Sequence, residues 1–524
     1  MILSLFESAV FAFVLLHIIY IATKPPFRRD AAALPGLALT VVAFSVVGTV
    51  LGIWMIVRWP TIRHLAAIGV IVATALAWWR ARPSYGARSK WPPGSLGIGM
   101  SLDAINNRTF YLDQAHTHGP VFKMSQFGRP VVCVLGLGRA RELLTENADS
   151  LIGATLPYNR RLPKGTLRYM ALRDHREEAP LFRRTFASLE LHAGEDANRA
   201  ACRTMLDTLA RDSGEGDGGV RGREYFARWL LVALSRIFFG LLPNDPRVAE
   251  LERAFSNLQF DRSGGSRWQR QLEEALVSVT ALMRAVAREG ATSPEHLAVG
   301  SALRAILEAD PAVLDDPNRA RNLFLVFRIS HGDLTGLMDW LFKLLTDNAE
   351  WQSKVRAAGR ATGSPSGAQP SDIGSRVVLE TLRMEQSEFL YRRVAQPITL
   401  GDYSIPAGWL LRVCVQESHR DPSIFPDPER FGPDRFLSRT FGRSEYSPFG
   451  ADERGCMGAR LALFLGRVFV EELCLGYEWQ VTRDGPLERG SRHRHHWRPS
   501  AASRVKMRPL NSGLGADFTA DLVR

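Results

Sequence analysis

The sequence predicts a mainly α fold with small β-sheets, an α+β body preceded by transmembrane helices, and three observations carry that prediction. The middle of the 524-residue chain repeats apolar residues at helical spacing over long stretches. Only short β-branched runs, Val121-Phe122-Lys123-Met124 and Val131-Val132-Cys133-Val134-Leu135, read as strands. Ahead of these lie three apolar stretches, 5–22, 34–57 and 62–79, each near the roughly 20 residues that span a bilayer.

Charge placement orients the N-terminal stretches. Lys24, Arg28 and Arg29 follow the first, and Arg80, Arg82, Arg88 and Lys90 follow the third, while only Arg58 and Arg63 separate the second from the third. With three crossings the richer loops fall on one side, so the reading is a multi-pass membrane protein whose main body is cytoplasmic. Glu7 and His17 in the first stretch, and the shortness of the third, leave an interfacial or core role open for those two; the second is the surest span. No small-residue cleavage site marks a signal peptide. Trp91-Pro92-Pro93-Gly94 reads as a stiff hinge. The expected organisation is an anchor over 1–82, a Pro/Gly hinge over 83–98, a folded body over 99–510 and a tail over 511–524.

Composition excludes several classes. Hydrophobic residues at 46% and charged residues at 23% are those of an ordinary globular protein. The cysteines, Cys133, Cys202, Cys414, Cys456 and Cys474, are odd in number, scattered and without a C-x-x-C pair, which argues against a disulfide framework and for a reducing compartment. A net charge of +12 comes without basic runs interleaved with aromatics, so no nucleic-acid partner is expected, and the excess is assigned to membrane-facing and partner-facing surface. The runs 214–219 and 361–367 read as exposed loops, and the His/Arg run 492–498 as a turn rather than a metal site.

The segments that carry chemistry follow in chain order. Residues 173–186 contain His175 and Arg183. Residues 322–342 are largely apolar at their start, with Gly332, Asp333 and Thr335 at their middle. Glu380 and Arg383, three apart in an apolar-periodic helix beginning near Ser375, share a face and can pair. Arg392 and Arg393 follow, then Ile405-Pro406-Ala407-Gly408, Ser418-His419-Arg420-Asp421-Pro422, and a Pro-rich meander, 425–436, containing Arg435. Last comes Phe449-Gly450-Ala451-Asp452-Glu453-Arg454-Gly455-Cys456-Met457-Gly458, a Gly-punctuated loop running into an apolar helix. A cysteine there faces unpaired N–H groups and the positive end of a helix dipole, a setting that favours a thiolate metal ligand.

Taken together and in this order, these motifs resemble those of the cytochrome P-450 family, over about residues 91–510. The resemblance implies a P-450-like catalytic domain binding haem b (iron-protoporphyrin IX) with Cys456 as the axial thiolate and metal ligand. It implies that Phe449 packs against that ligand, that Gly458 lets the backbone turn beneath the porphyrin, and that Arg454 pairs with a haem propionate. Arg392 or Arg393, with Arg393 preferred, and His175 are implied as further propionate partners; the Arg expected one turn after His175 is Ala179, for which Arg183 substitutes by reach. Glu380, Arg383 and Arg435 are implied to form a buried structural cluster. The resemblance also implies that Gly332 opens a kink over the iron and that Thr335, with Asp333 as the nearest acid, organises proton delivery. Where the family carries Gly the chain has Asp452, read as a left-handed turn position; where it carries an acid the chain has Leu334. In the alternative reading of Thr335, its hydroxyl bonds back to the carbonyl four residues earlier.

The function this implies is a haem-dependent monooxygenase inserting one atom of O2 into a lipophilic small molecule. No flavin, nicotinamide or iron–sulfur motif accompanies the haem segment, so electrons come from a separate ferredoxin or flavoprotein reductase, and the lipid bilayer is a further partner. Two alternatives stay open: a haem-thiolate isomerase, dehydratase or peroxygenase, prompted by the weak acid–Thr pair, and a membrane-tethered haem-binding protein with a degenerate site, prompted by Asp452 and Ala179.

Overall fold

The computed structural model describes residues 91–510 except 98–99, 101–102, 105, 127–128, 155–164, 168–169, 171, 216–217, 258–265, 293–299, 311, 313–314, 363–371, 386–389 and 490–496. The three apolar stretches, most of the hinge, the polar run 386–388, the His/Arg residues 492–496 and the tail therefore lie outside the described residues. Among the described residues no helix is long and apolar enough to cross a membrane.

Two compact units divide the chain, Met1–Val132 with Asp402–Ser404, and Cys133–Gly401 with Ile405–Arg524. In the first, β1 (Gly94–Ser95) runs parallel to β2 (Val121–Gln126), and α1 (Phe110–His118) precedes β2. β2 pairs with β3 (Arg129–Val134), whose end passes into the second unit. The Pro-rich segment is bound to β2: Lys123 donates its amide to the Pro93 carbonyl at 2.7 Å and its ammonium to the Pro92 carbonyl at 2.8 Å. Gly94 has φ +112°, and a Cβ there would run into the Lys123 carbonyl.

The second unit is mostly helical. In order it holds α2 (Leu137–Glu146), β4 (Leu151–Gly153), α3 (Leu172–Ala187), α4 (Glu195–Gly214), α5 (Gly222–Phe239), α6 (Pro246–Asn257), α7 (Ser266–Thr292) and α8 (Ala302–Ala309). There follow α9 (Pro317–Asp347), α10 (Ala349–Thr362), α11 (Ile373–Met384), β5 (Leu390–Val394), β6 (Leu410–Val413), α12 (Ala459–Gly476), β7 (Tyr477–Arg483) and β8 (Arg504–Pro509). β5 is antiparallel to both β4 and β6, and β7 to β8. The helix α4 carries on through Gly214, which the sequence places in a loop.

The core is built on α9, 31 residues long. Asp316 starts it by accepting the Asn318 amide at 2.7 Å, with Pro317 at the first helical position, where its missing N–H costs nothing. Leu323, Phe324, Phe327, Leu334, Met338 and Leu341 are buried, and Phe327 meets Phe238 and Phe239 of α5 at ring separations of 5.4 and 4.8 Å. α11 and α12 pack on the same core through Val377, Val378, Leu465, Val468 and Phe469.

A buried charge network joins α4 to α12. Arg199, 4% exposed, donates to Glu195 at 2.7 Å, to Glu472 at 2.9 Å and to Glu471, while Arg467 donates to Glu195 at 2.8 Å. Charges this deep are tolerated because each has a partner, so removing one member strands the others. Arg199→Ala is expected to lower unfolding free energy by roughly 3–5 kcal/mol, read as a shifted midpoint in chemical denaturation.

Candidate functional site

The loop ahead of α12 is closed by its own backbone. The Cys456 amide donates to the Phe449 carbonyl at 2.7 Å, the Gly455 amide to Asp452 at 3.1 Å and the Gly450 amide to Ser447 at 3.2 Å. Gly450 takes the left-handed conformation the turn requires, φ +102°. Asp452 does not, so the left-handed role expected of it belongs to Gly450. Of the five cysteines Cys456 is the exposed one; the other four are buried. A Cβ built on Gly458 would meet only the Cys456 Sγ, at 3.9 Å, so the loop is open beside the thiol. Phe449 is half-buried and packs on the core cluster.

A cationic basket adjoins this loop. Arg454 donates Nη1 to the Met170 carbonyl at 3.0 Å, and its Nη2 is buried without a hydrogen-bond partner. Burial first, and then the Arg392 charge, pull the Arg454 guanidinium down to about 10. His175 on α3 is buried, and burial together with the charges of Arg454 and Arg183 pushes it down to about 4, leaving it neutral near pH 7. Arg183 thus acts on His175 across two helical turns, with Ala179 buried between them. Arg392 pairs with Asp452 in the loop, whereas Arg393 alternates to the other face of β5. The preferred Arg393 is therefore not the one brought to the loop. The strand period could have told them apart, since Leu390, Arg392 and Val394 share one face.

A buried neighbour without a match and an exposed thiol together test whether a cofactor fits. An orphaned guanidinium nitrogen calls for an anion, and a thiol with open space beside it suits a soft metal. An iron macrocycle bearing carboxylates satisfies both.

Behind the loop, Glu380, Arg383 and Arg435 meet. Glu380, 0% exposed, accepts Arg383 Nε at 2.8 Å and Nη2 at 2.9 Å, Arg435 Nε at 3.0 Å and the Gly432 amide at 2.8 Å. Arg383 also donates to the Pro428 carbonyl at 2.7 Å and the His419 carbonyl at 2.9 Å. The His419 ring, which sequence reasoning passes over, accepts the Ser447 amide at 3.0 Å, and Ser447 in turn donates its hydroxyl to Gly450 at 2.7 Å.

On α9 every residue from Ile329 to Asp333 is partly or fully exposed, as are Val326 and Gly336, whereas Leu334 and Thr335 are buried. His331 bonds the Ala227 carbonyl of α5 at 2.8 Å. Asp333, about 200° further round the helix, lies on the side away from α5. Thr335 is buried, and its hydroxyl donates to the His331 carbonyl at 2.7 Å, four residues back. Gly332 and Asp333 thus lie among the uncovered positions of α9, and Thr335 does not.

The family model for cytochrome P450 matches residues 335–495. Abscisic acid 8'-hydroxylase 3 of Oryza sativa subsp. japonica is 25% identical over 415 residues, 74% of this chain and 81% of that protein. Ent-kaurenoic acid oxidase 1 of Hordeum vulgare is 24% identical over 508 residues, covering 87% and 99%. A solved structure of retinoic acid-bound cyanobacterial CYP120A1 shares the fold with a TM-score of 0.62 at 21% identity, over 78% of this chain and 96% of that one. The chain is thus similar to cytochrome P450 proteins over most of its length, and the comparisons support an enzyme of the monooxygenase type that takes haem through a cysteine thiolate.

His419 supplies a pH test of the loop's scaffold. Burial, and then the Arg383 charge, hold its folded pKa at about 3, below the ordinary 6.5. The unfolded chain therefore takes up that proton first as pH falls; the contribution is complete above about pH 6.5 and is lost from there down to about 3. Stability against denaturant is expected to fall across that window, with a shallower decline in His419→Asn.

Proposed function

We propose that the protein inserts one atom of O2 into a lipophilic organic molecule, with Cys456 as the axial ligand of its haem and a separate ferredoxin or flavoprotein as electron donor. The observation that carries this is the exposed Cys456 thiol in a closed loop beside the unpartnered Nη2 of Arg454. When bound, the haem supplies the iron centre that activates oxygen. Arg454 and neutral His175 are assigned to hold its carboxylates, Phe449 to shield the thiolate, and Gly458 to leave room beneath the ring. The Glu380–Arg383–Arg435 network is assigned to hold the loop's support rather than to touch substrate.

On α9, Gly332 is assigned to leave space beside the haem and Asp333 to pass a proton there. Thr335 is assigned a structural part, since its hydroxyl is used within the helix. A lipophilic substrate agrees with the apolar N-terminal stretches, read as a membrane anchor that leaves the catalytic body on the cytoplasmic side. It agrees also with relatives named for hydroxylation of abscisic acid and oxidation of ent-kaurenoic acid.

Reconstituted protein supplied with ¹⁸O2, reductant and a redox partner should place one label in product. Turnover without any electron donor would instead establish an isomerase or peroxygenase. Asp333→Asn should lower product formation roughly 10²-fold, in the range for loss of a proton-transfer group. Thr335→Ala should stay within a few-fold of wild type, and the reverse ranking would return the relay to Thr335.

A further inference from the structure

The basket beside Cys456 contains two arginines in different states. Arg392 has its fork filled: Nε donates to Asp452 Oδ2 at 3.2 Å, Nη2 pairs with the same oxygen, and Nη1 donates to the Tyr391 carbonyl at 2.9 Å. Arg454 has one arm on the Met170 carbonyl and its Nη2 open. The residue that creates this difference is Asp452, at the position where the family resemblance expects glycine. Its other oxygen, Oδ1, accepts the Arg454 amide at 3.0 Å, so one carboxylate grips both arginines, one by its side chain and one by its backbone.

We propose that Asp452 is a positioning residue: a built-in carboxylate that saturates Arg392 and ties β5 to the Cys456 loop, leaving Arg454 and His175 to receive the carboxylates of the haem. This rests on the assignment of Cys456 as the haem ligand. A glycine at 452 would leave two buried Arg392 donors without a partner and the loop without its tether to β5. With a haem held through Cys456, the pair would set a negative and a positive charge side by side in the loop that carries its ligand, each offsetting the other's influence on the reduction potential.

The holoenzyme provides the test, through haem transfer to apomyoglobin and the midpoint potential of the iron. Asp452→Asn and Arg392→Gln should each speed haem loss by about tenfold, as for other groups that orient metal ligands. The double variant should be no worse than either single, because both remove the same pair. The potentials should move in opposite directions, upward on losing the Asp452 charge and downward on losing the Arg392 charge, with Asp452→Glu restoring both readouts. A structural role alone would not produce shifts of opposite sign. If Asp452→Asn keeps the wild-type haem loss and potential while the wild type carries a thiolate-ligated haem, this inference fails and the ligand assignment stands. If the wild type carries no thiolate-ligated haem, the ligand assignment fails and this inference with it.

Discussion

The Glu380 carboxylate, fully removed from solvent, is the constraint on which the site depends. An isolated buried carboxylate is strongly unfavourable, and this one is tolerated because two guanidinium groups and a backbone amide converge on it. The same bonds fix the meander: Arg383 reaches the Pro428 and His419 carbonyls and Arg435 reaches that of Pro426. From His419 the path continues through the Ser447 amide to the Gly450 carbonyl, and from there the loop closes on the Cys456 amide. A helix interior thus controls where a thiol stands across a chain of hydrogen bonds, each short enough to transmit position rather than merely proximity.

Much of this was legible in the sequence because it is local. Glu380 and Arg383 lie on one helix face at a three-residue spacing, and the Gly-punctuated loop before an apolar helix announces its turn. The long helix around Gly332, expected from the family resemblance, is found within Pro317–Asp347. What could not be read is pairing across distance. Nothing adjacent to Asp452 names Arg392, 60 positions away, as its partner; the left-handed expectation for Asp452 gave way because Gly450 bends the loop first. Likewise the rotamer of Thr335, which decides between a relay and a bond to its own helix, depends on what packs against α9.

The electrostatics of the basket follow from burial. Arg454 and His175 are both held away from water, and both are shifted toward their neutral forms by that burial and by each other's surroundings. A cluster of donors poor in acceptors is ready for an anionic group and unfavourable without one. This is the same logic that leaves Arg454 Nη2 unpartnered while Arg392, supplied with Asp452, is satisfied. On the proposed assignment the chain thereby separates two tasks, one arginine for the loop and one for the ligand.

The claim at the centre of this account is that the exposed thiol of Cys456, and no imidazole, is bound to the iron. The most direct measurement is the absorption spectrum of the reduced protein under carbon monoxide. The account predicts the long-wavelength Soret band that marks a thiolate ligand. A haem-loaded wild type whose band stands at the shorter wavelength typical of histidine ligation would contradict it.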